Sequence, residues 1–182
     1  MGPSFDSGNG TPIVASPVTE HEYLWEPAPG CWSVRARSDG PGEQAGFLSG
    51  IGGWGRDAAA FPHPWPPPLT TIAWRLTHLD EMLRLRSDHT NGSKALTRDD
   101  YVCPSRAVDA VAAFEEAAKA WRRAVRQADL TSLDVVGHSA YPYGSDREVP
   151  FIEIVWWVNQ EVLHHGAEIA LLRDLFRAFG RT

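Results

Sequence analysis

Residues 151–179 carry apolar side chains at alternating steps of four and three, a spacing that fits an α-helix with one face in a hydrophobic core. The helix is predicted from about Pro150 to Phe179. His165 falls on one of the apolar positions although its ring is polar. Neighbouring residues on a helix point about 100° apart, so His164 is predicted to lie to one side, toward solvent or the flank of a bundle. The positions are Phe151, Val155, Val158, Val162, His165, Ile169, Leu172, Phe176 and Phe179.

Two further stretches have the periodicity and composition of helices. The first begins in a proline-rich run and continues as "LTTIAWRLTHLDEMLRLR", in which Ile72, Leu76, Leu79 and Leu83 follow one another at steps of four, three and four. The second is the alanine-rich stretch 104–128, whose composition has a high helix propensity. Three strong helices and no convincing strand predict an all-α helical bundle.

The first third of the chain has a different composition. Residues 1–19 are rich in Gly, Ser and Pro and are predicted to be disordered, which leaves residues 20–180 as the helical domain. Residues 30–55 hold 8 of the 16 glycines, so irregular structure is predicted there. Tryptophans in this region are expected to pack against the core as an ordered but irregular wrap. They are Trp25, Trp32 and Trp54.

Length, charge and cysteine content narrow the class of protein. A chain of 182 residues suits one domain with a single core. Its formal net charge of -6 comes without a basic patch, which argues against nucleic acid or an anionic membrane as a partner. No apolar run reaches the roughly 18 residues of a bilayer span, and the N-terminus lacks the pattern of a secretory signal. Two cysteines far apart in sequence, Cys31 and Cys103, fit a reducing cytoplasm.

Glu161 lies four residues before His165, so the two side chains share one side of the helix. A Glu–His pair at this spacing can bind a divalent cation from one helix, as in the metal sites of helical bundles. It can also be a hydrogen-bonded pair without a metal, which is the commoner arrangement for a buried histidine. Glu168 follows one heptad after Glu161, and a surface pair with His164 is favoured for it over a place in the same cavity.

A metal site would need a third ligand from another helix. His78 is the candidate in the middle of a predicted helix, on the flank of its apolar stripe rather than at the centre. A half-exposed histidine beside Trp74 is the alternative interpretation. The other candidates lie at a helix end or in predicted loops, and they are His21, His63, His89 and His138.

Three stretches together resemble the DinB/YfiT-like superfamily of metalloenzymes, which includes the mycothiol-dependent maleylpyruvate isomerases. They are "LWEPAPGCWSVR", "PPPLTTIAWRLTHL" and "NQEVLHHGAEIALLRDLFR", and the resemblance covers roughly residues 20–180. It implies a four-helix bundle with one divalent metal in its core, bound by one residue of the second helix and two of the fourth. The ligands of the mycothiol-dependent branch, a histidine and a Glu-x-x-x-His pair, correspond to His78, Glu161 and His165.

The resemblance also implies cofactors and an activity. Zinc is the first expectation for the metal, with nickel or iron as alternatives, and mycothiol or another low-molecular-weight thiol is the implied cosubstrate. The implied function is that of a thiol-dependent transferase or isomerase acting on small electrophiles. One alternative is a non-catalytic metal-binding or stress-associated bundle that acts through a partner. Another is a metal-free helical module in which the polar core pair only fixes the packing.

The N-terminus departs from the family pattern. Family members begin with a helix before the "LWEPAPGCWSVR" stretch, and residues 1–22 are few and rich in Gly and Pro. Either this first helix is absent, or the natural start lies upstream of Met1. A bundle without one wall exposes apolar side chains, and such a patch favours a homodimer.

Overall fold

The computed structural model describes residues 16–60, 64–141 and 146–180. The disorder predicted for residues 1–19 therefore falls, for residues 1–15, outside the described residues. No helix in the described ranges combines the length and the apolar character that crossing a membrane requires. The helices and strands, in chain order, are α1 (Glu20–Leu24), β1 (Val34–Ala36), β2 (Phe47–Ser49), β3 (Trp54–Ala58), α2 (Ile72–Asn91), α3 (Ala107–Gln127) and α4 (Phe151–Phe179).

The three long helices enclose a hydrophobic core. Thr71 caps the start of α2, since its hydroxyl accepts a hydrogen bond from the backbone N–H of Trp74 at 3.2 Å. The apolar stripe predicted for α2 is confirmed, because all four of its positions are buried. One cluster of buried side chains joins the three helices and comprises Leu79, Met82, Leu83, Ala117, Trp121, Ala124, Phe151, Ile154 and Val158.

The buried side of α4 is narrower than predicted. We call the nine apolar positions of α4 that were predicted to face the core the seam. Four of them, spaced seven residues apart, are buried, and four of the other five are partly buried. Phe179 is 68% exposed, so its predicted place in the seam is wrong, and Ile154, which the seam left out, is buried. Among the described helices α4 packs mainly against α2, so only a narrow stripe of its surface meets the core. The buried seam positions are Phe151, Val158, His165 and Leu172.

A small antiparallel sheet lies in the glycine-rich region, where the sequence predicts irregular structure. Its strand order is β1–β3–β2, with Val34 opposite Arg56 and Leu48 opposite Asp57. The prediction of an all-α chain is therefore not confirmed, although helices dominate the described residues. Strands of three to five residues are too short to show an alternating pattern, and the glycines between them interrupt what pattern remains.

A short helix, α1, precedes the sheet. The hydroxyl of Thr19 accepts a hydrogen bond from the backbone N–H of Glu22 at 3.1 Å, and the Glu22 carboxylate accepts one from the Thr19 N–H at 3.4 Å, which is a capping box. Arg173 of α4 donates to the same carboxylate at 2.7 Å and so ties α1 to α4. The predicted absence of a first helix is not confirmed, since α1 occupies Glu20–Leu24 and residues 1–15 lie outside the described ranges.

The carboxylate of Asp57 holds the sheet region together. This fully buried side chain accepts hydrogen bonds from the backbone N–H groups of Ser33 at 2.9 Å and Gly42 at 2.8 Å, and from Nε of Arg35 at 2.8 Å. The backbone carbonyl of Asp57 accepts a further hydrogen bond from Nε1 of Trp74 at 2.8 Å. The sheet is thereby fixed to α2 at the residue that packs against His78.

Replacing Asp57 with alanine is expected to lower the free energy of unfolding by about 3 kcal/mol, because the Arg35 guanidinium and two backbone N–H groups lose their shared acceptor. Urea unfolding followed by circular dichroism measures the change. Asp39→Ala is the matched control, since Asp39 is exposed and accepts a hydrogen bond from its neighbour Ser38. Its loss should stay below about 0.5 kcal/mol, and equal losses in the two variants would contradict the assigned role of Asp57.

Candidate metal centre

Three side chains from α2 and α4 converge at one point on the inner side of the bundle. Oε2 of Glu161 lies 3.3 Å from Nε2 of His78 and 3.1 Å from Nε2 of His165. One ligand atom from each residue lies within 4.8 Å of those of the other two. The structure thus brings together the three residues predicted as ligands, and their binding of a metal stays a prediction.

His165 is the inward histidine of the adjacent pair, as the seam spacing predicts. Its side chain is 7% exposed, whereas the side chain of His164 is 64% exposed on the flank of α4. Both ring nitrogens of His165 meet carboxylates, because Nδ1 lies 2.6 Å from Oε2 of Glu168 and Nε2 faces Glu161. A histidine fixed at both nitrogens cannot turn its ring without breaking one of these contacts.

His78 stands on α2 between an aromatic ring and the second histidine. Its ring stacks on Trp74 with centroids 5.1 Å apart and meets the ring of His165 edge-on at 5.0 Å. About a quarter of its side chain is exposed, so the half-exposed position beside Trp74 that the sequence also allows is observed. The two interpretations coexist, because the same ring packs on Trp74 and turns Nε2 toward Glu161.

Two charged residues, Glu168 and Arg75, lie beside the cluster although the sequence did not predict either of them there. Glu168 does pair with His164, at 3.3 Å, but it also contacts His165 and lines the same site. Arg75, which was not predicted to belong to the site, contacts Glu168 at 3.0 Å and places Nη1 3.1 Å from Nδ1 of His165. Its position three residues before His78 was the available signal, since such residues share a side of a helix.

A second group of metal-ligating side chains, His164, His165 and Glu168, lies beside the first. The guanidinium of Arg75 is already in contact with the Glu168 carboxylate and with Nδ1 of His165. A fixed cation at this position repels a metal ion and occupies the oxygen atoms that would bind it. The group formed by His78, Glu161 and His165 is therefore the better candidate.

The two carboxylate contacts of His165 indicate whether a cation fits the group formed by His78, Glu161 and His165. A neutral imidazole carries one N–H, yet both ring nitrogens of His165 lie within 3.1 Å of a carboxylate oxygen. Hydrogen bonds with His165 and then His78 hold the pKa of Glu161 well below its usual range, so this carboxylate is ionised. One carboxylate therefore faces a nitrogen without a proton unless the ring gains positive charge. A second proton or a metal ion on Nε2 supplies that charge, and the guanidinium of Arg75, with Nη1 3.1 Å from Nδ1, adds positive charge beside the ring.

The spacing of the candidate ligand atoms also suits a metal. Zinc bonds of about 2.0–2.1 Å at tetrahedral angles place neighbouring ligand atoms about 3.4 Å apart. The distances from Oε2 of Glu161 to Nε2 of His78 and of His165 are 3.3 and 3.1 Å. Two imidazoles and one carboxylate are a donor set used for zinc, nickel and iron, so the residues present fit a divalent ion.

A cavity of about 490 Å³ opens beside the cluster, and His78 forms part of its wall. Two of its arginines are neutralised, since Arg56 pairs with Glu81 and Arg86 pairs with Asp146. The size is in the range of sites for small organic molecules. Large apolar and aromatic side chains provide much of the remaining wall, among them Trp32, Trp74, Met82, Leu85, Tyr141 and Trp157.

The other histidines of the described residues lie in different surroundings. His89 is buried near the end of α2, with Nε2 2.9 Å from the carbonyl oxygen of Leu96. His138 packs on the ring of Phe151, and His21 meets Phe176 edge-on. The remaining candidate, His63, lies outside the described residues.

Burial lowers the pKa of His78 to about 4, with Arg56 and His165 contributing in the same direction. The folded protein therefore leaves this ring neutral at pH 7, as metal binding requires. Between pH 6.5 and 4 the unfolded chain takes up a proton that the folded chain does not, so stability falls as the pH falls through this window.

Metal-free protein carrying His78→Asn is expected to lose part of this pH dependence. Between pH 6.5 and 5 the slope of unfolding free energy against pH should be shallower than in the unaltered protein by up to about 1.4 kcal/mol per pH unit. Urea unfolding at several pH values, in the presence of a chelator, measures both slopes. Parallel curves for the two proteins would show that the ring of His78 is not buried as a neutral group.

Comparison with known proteins yields one family. A family model described as the DinB superfamily matches residues 9–169. Searches of curated proteins and of solved structures return no match to the chain. The match covers more than four fifths of the chain and includes α1, the sheet, α2, α3 and the part of α4 that carries the candidate ligands. This chain therefore belongs to the DinB superfamily.

Proposed function

We propose that the protein binds one divalent metal ion through His78, Glu161 and His165. The observation that supports this most directly is the single carboxylate oxygen of Glu161 in contact with Nε2 of both histidines. Membership of a superfamily that often binds metal supports it independently. Zinc is the first choice for the ion, with nickel or iron as alternatives, because all three accept imidazole and carboxylate donors.

Residues around the proposed ligands have orienting roles. Glu168 holds Nδ1 of His165, the arrangement by which a carboxylate fixes the ring of a metal-binding histidine. Arg75 in turn fixes Glu168 through contacts of 3.0 and 3.1 Å. Trp74 supports the ring of His78 by stacking and is itself anchored to Asp57 of the sheet. The position of the ligand set is thus determined by both the helices and the sheet.

The reaction that we propose is a thiol-dependent transfer to, or isomerisation of, a small electrophile, with mycothiol or another low-molecular-weight thiol as cosubstrate. When bound, a divalent ion supplies Lewis acidity, which lowers the pKa of a water or thiol in its open position. The cavity beside His78 supplies room for an organic molecule and an aromatic wall to pack against it. The free, buried state of Cys31 and Cys103 supports a reducing, cytoplasmic location within this proposal.

The second candidate function is a metal-binding bundle that catalyses nothing and acts through a partner. The engagement of Glu168 favours it, because Arg75, His164 and His165 all contact this carboxylate. A carboxylate with three partners is a poor general base. Both candidate functions need the same metal site, and they differ in whether the protein converts a substrate.

Zinc supplied to chelator-treated protein is expected to bind at about one equivalent, and His165→Ala is expected to abolish this binding. Isothermal titration calorimetry and metal analysis after dialysis measure it. Zinc at about 100 times its dissociation constant should also stabilise the unaltered protein by about 2.7 kcal/mol, which raises the melting temperature.

His164→Ala is the matched control for this experiment, since it removes the neighbouring exposed histidine and leaves the proposed ligands in place. Its zinc affinity should be close to that of the unaltered protein. Glu168→Gln should weaken binding by about 10- to 100-fold through loss of the orienting contact to His165. Stoichiometry well below one in the unaltered protein, or equal binding by His165→Ala, would rule out the site.

Zinc-loaded protein is expected to accelerate the reaction of a thiol with an electrophile above the uncatalysed rate. Mycothiol and glutathione, each paired with 1-chloro-2,4-dinitrobenzene and with an activated alkene, provide spectrophotometric assays. The acceleration should be lost in His165→Ala and kept in His164→Ala. Uncatalysed rates for every pair, in protein that holds its zinc, would favour the non-catalytic metal-binding function.

A further inference from the structure

The cavity beside His78 has a wall in which positive and negative charges are equal in number. Among the residues that the structure describes, the wall contains three arginines and three acidic residues. The wall therefore carries no net charge, although the whole chain has a formal net charge of -6. A site built for an ion normally presents an excess of the opposite charge. The charged residues of the wall are Arg56, Arg86, Arg98, Asp57, Glu81 and Asp99.

The two buried arginines of the wall are both held in ion pairs. Arg56 pairs with Glu81, and Arg86 pairs with Asp146. The side chains of Arg56 and Glu81 are only 8% and 6% exposed. Within the described ranges, this pair leaves one nitrogen of Arg56 and one oxygen of Glu81 without a hydrogen-bond partner, so an ion would suit only one of the two residues. An anion in the cavity would have to compete with a buried carboxylate for each arginine.

The remaining charged residues of the wall do not favour an ion either. Arg98 and Asp99 are exposed neighbours in the chain, so their charges offset each other and are screened by solvent. Asp57 is fully buried, and its carboxylate already accepts hydrogen bonds from Arg35 and from two backbone N–H groups. Among the described residues, an ion of either sign would thus meet buried charges that are already paired.

Aromatic side chains provide the attractive part of the wall. Trp74 and Trp157 both line the cavity. The guanidinium of Arg56 lies 5.5 Å from the ring centroid of Trp74, and that of Arg86 lies 4.9 Å from the ring centroid of Trp157. These contacts restrict the movement of both rings. A planar apolar molecule that is buried against fixed aromatic side chains gains free energy without needing a charge. The other aromatic residues of the wall are Trp32, Phe47 and Tyr141.

We propose that the cavity beside His78 binds a neutral aromatic molecule and discriminates against ions of the same shape. A volume of about 490 Å³ accommodates a substituted ring system. An ion of the same shape would lose its hydration without obtaining an unpaired partner in the wall. As a statement about the substrate, the proposal rests on the proposed function and makes the electrophile a neutral aromatic compound. As a statement about binding, it requires neither the metal nor the thiol.

Three naphthalene compounds of similar shape test the charge preference. 1-Naphthalenemethanol is neutral, 1-naphthoate is an anion, and 1-naphthylmethylammonium is a cation. Isothermal titration calorimetry with chelator-treated protein keeps metal ions out of the comparison. The neutral compound should bind at least about tenfold more tightly than either ion. Tighter binding of either ion, or no measurable binding of the neutral compound, would overturn the proposal. A neutral preference in protein that takes up no zinc would support this site and refute the proposed metal function.

Glu81→Gln tests the contribution of the paired charges. The substitution removes the carboxylate beside Arg56, so the wall gains a buried positive charge. 1-Naphthoate should then bind at least about tenfold more tightly than it binds to the unaltered protein. Glu116→Gln is the matched control, since Glu116 pairs with the exposed Lys119 on α3 and does not line the cavity. An affinity for 1-naphthoate that is the same in both variants would contradict the assigned role of the ion pair.

Trp157→Ala tests the aromatic wall and remains informative if Glu81→Gln fails to fold. Trp157 lines the cavity and is 40% exposed, so its replacement leaves the buried core in place. 1-Naphthalenemethanol should bind at least about fivefold more weakly to this variant. Trp156→Ala is the matched control, because Trp156 is the neighbouring exposed tryptophan and does not line the cavity. Equal affinities of the two variants for the neutral compound would show that it binds elsewhere.

Discussion

The ring of His165 imposes the main constraint on this protein, because it is a polar group in an otherwise apolar stripe of α4. Its two nitrogens meet Glu161 at 3.1 Å and Glu168 at 2.6 Å, and one neutral ring cannot donate to both. Buried polar groups must be matched, so the site needs positive charge on or beside this ring. Arg75 approaches Nδ1, and the ring of His78 approaches from the side of Nε2. The proposed metal is the charge that would satisfy Nε2.

The small sheet supports the metal centre from outside the helical core. Asp57 collects two backbone N–H groups and Arg35 on its carboxylate, and its carbonyl fixes the indole of Trp74. Trp74 then stacks on His78 at 5.1 Å. The position of one proposed ligand is thus linked to a glycine-rich region that would otherwise look like a connector.

The two sides of α4 differ in composition and in surroundings. Its inner side carries Glu161, His165 and Glu168, which concentrate charge around one point. Its opposite side carries exposed apolar residues such as Trp156, Leu163 and Leu171, because α2 is its main helical neighbour among the described elements.

The sequence alone was enough to predict the features that depend on local periodicity. The four-three spacing of α4 determined that His165 faces inward and His164 outward, and the four-residue step placed Glu161 beside it, since helix geometry fixes both. Its place in the middle of a predicted helix made His78 a candidate for the third residue of the group, and the resemblance to the DinB superfamily selected it. Tertiary packing decided the rest. Arg75 and Glu168 join the site only because α2 and α4 meet there, and Phe179 is exposed because α4 packs on a narrow side. The sheet escaped prediction because its short strands pair residues far apart in sequence, and such long-range pairing leaves little trace in a local pattern.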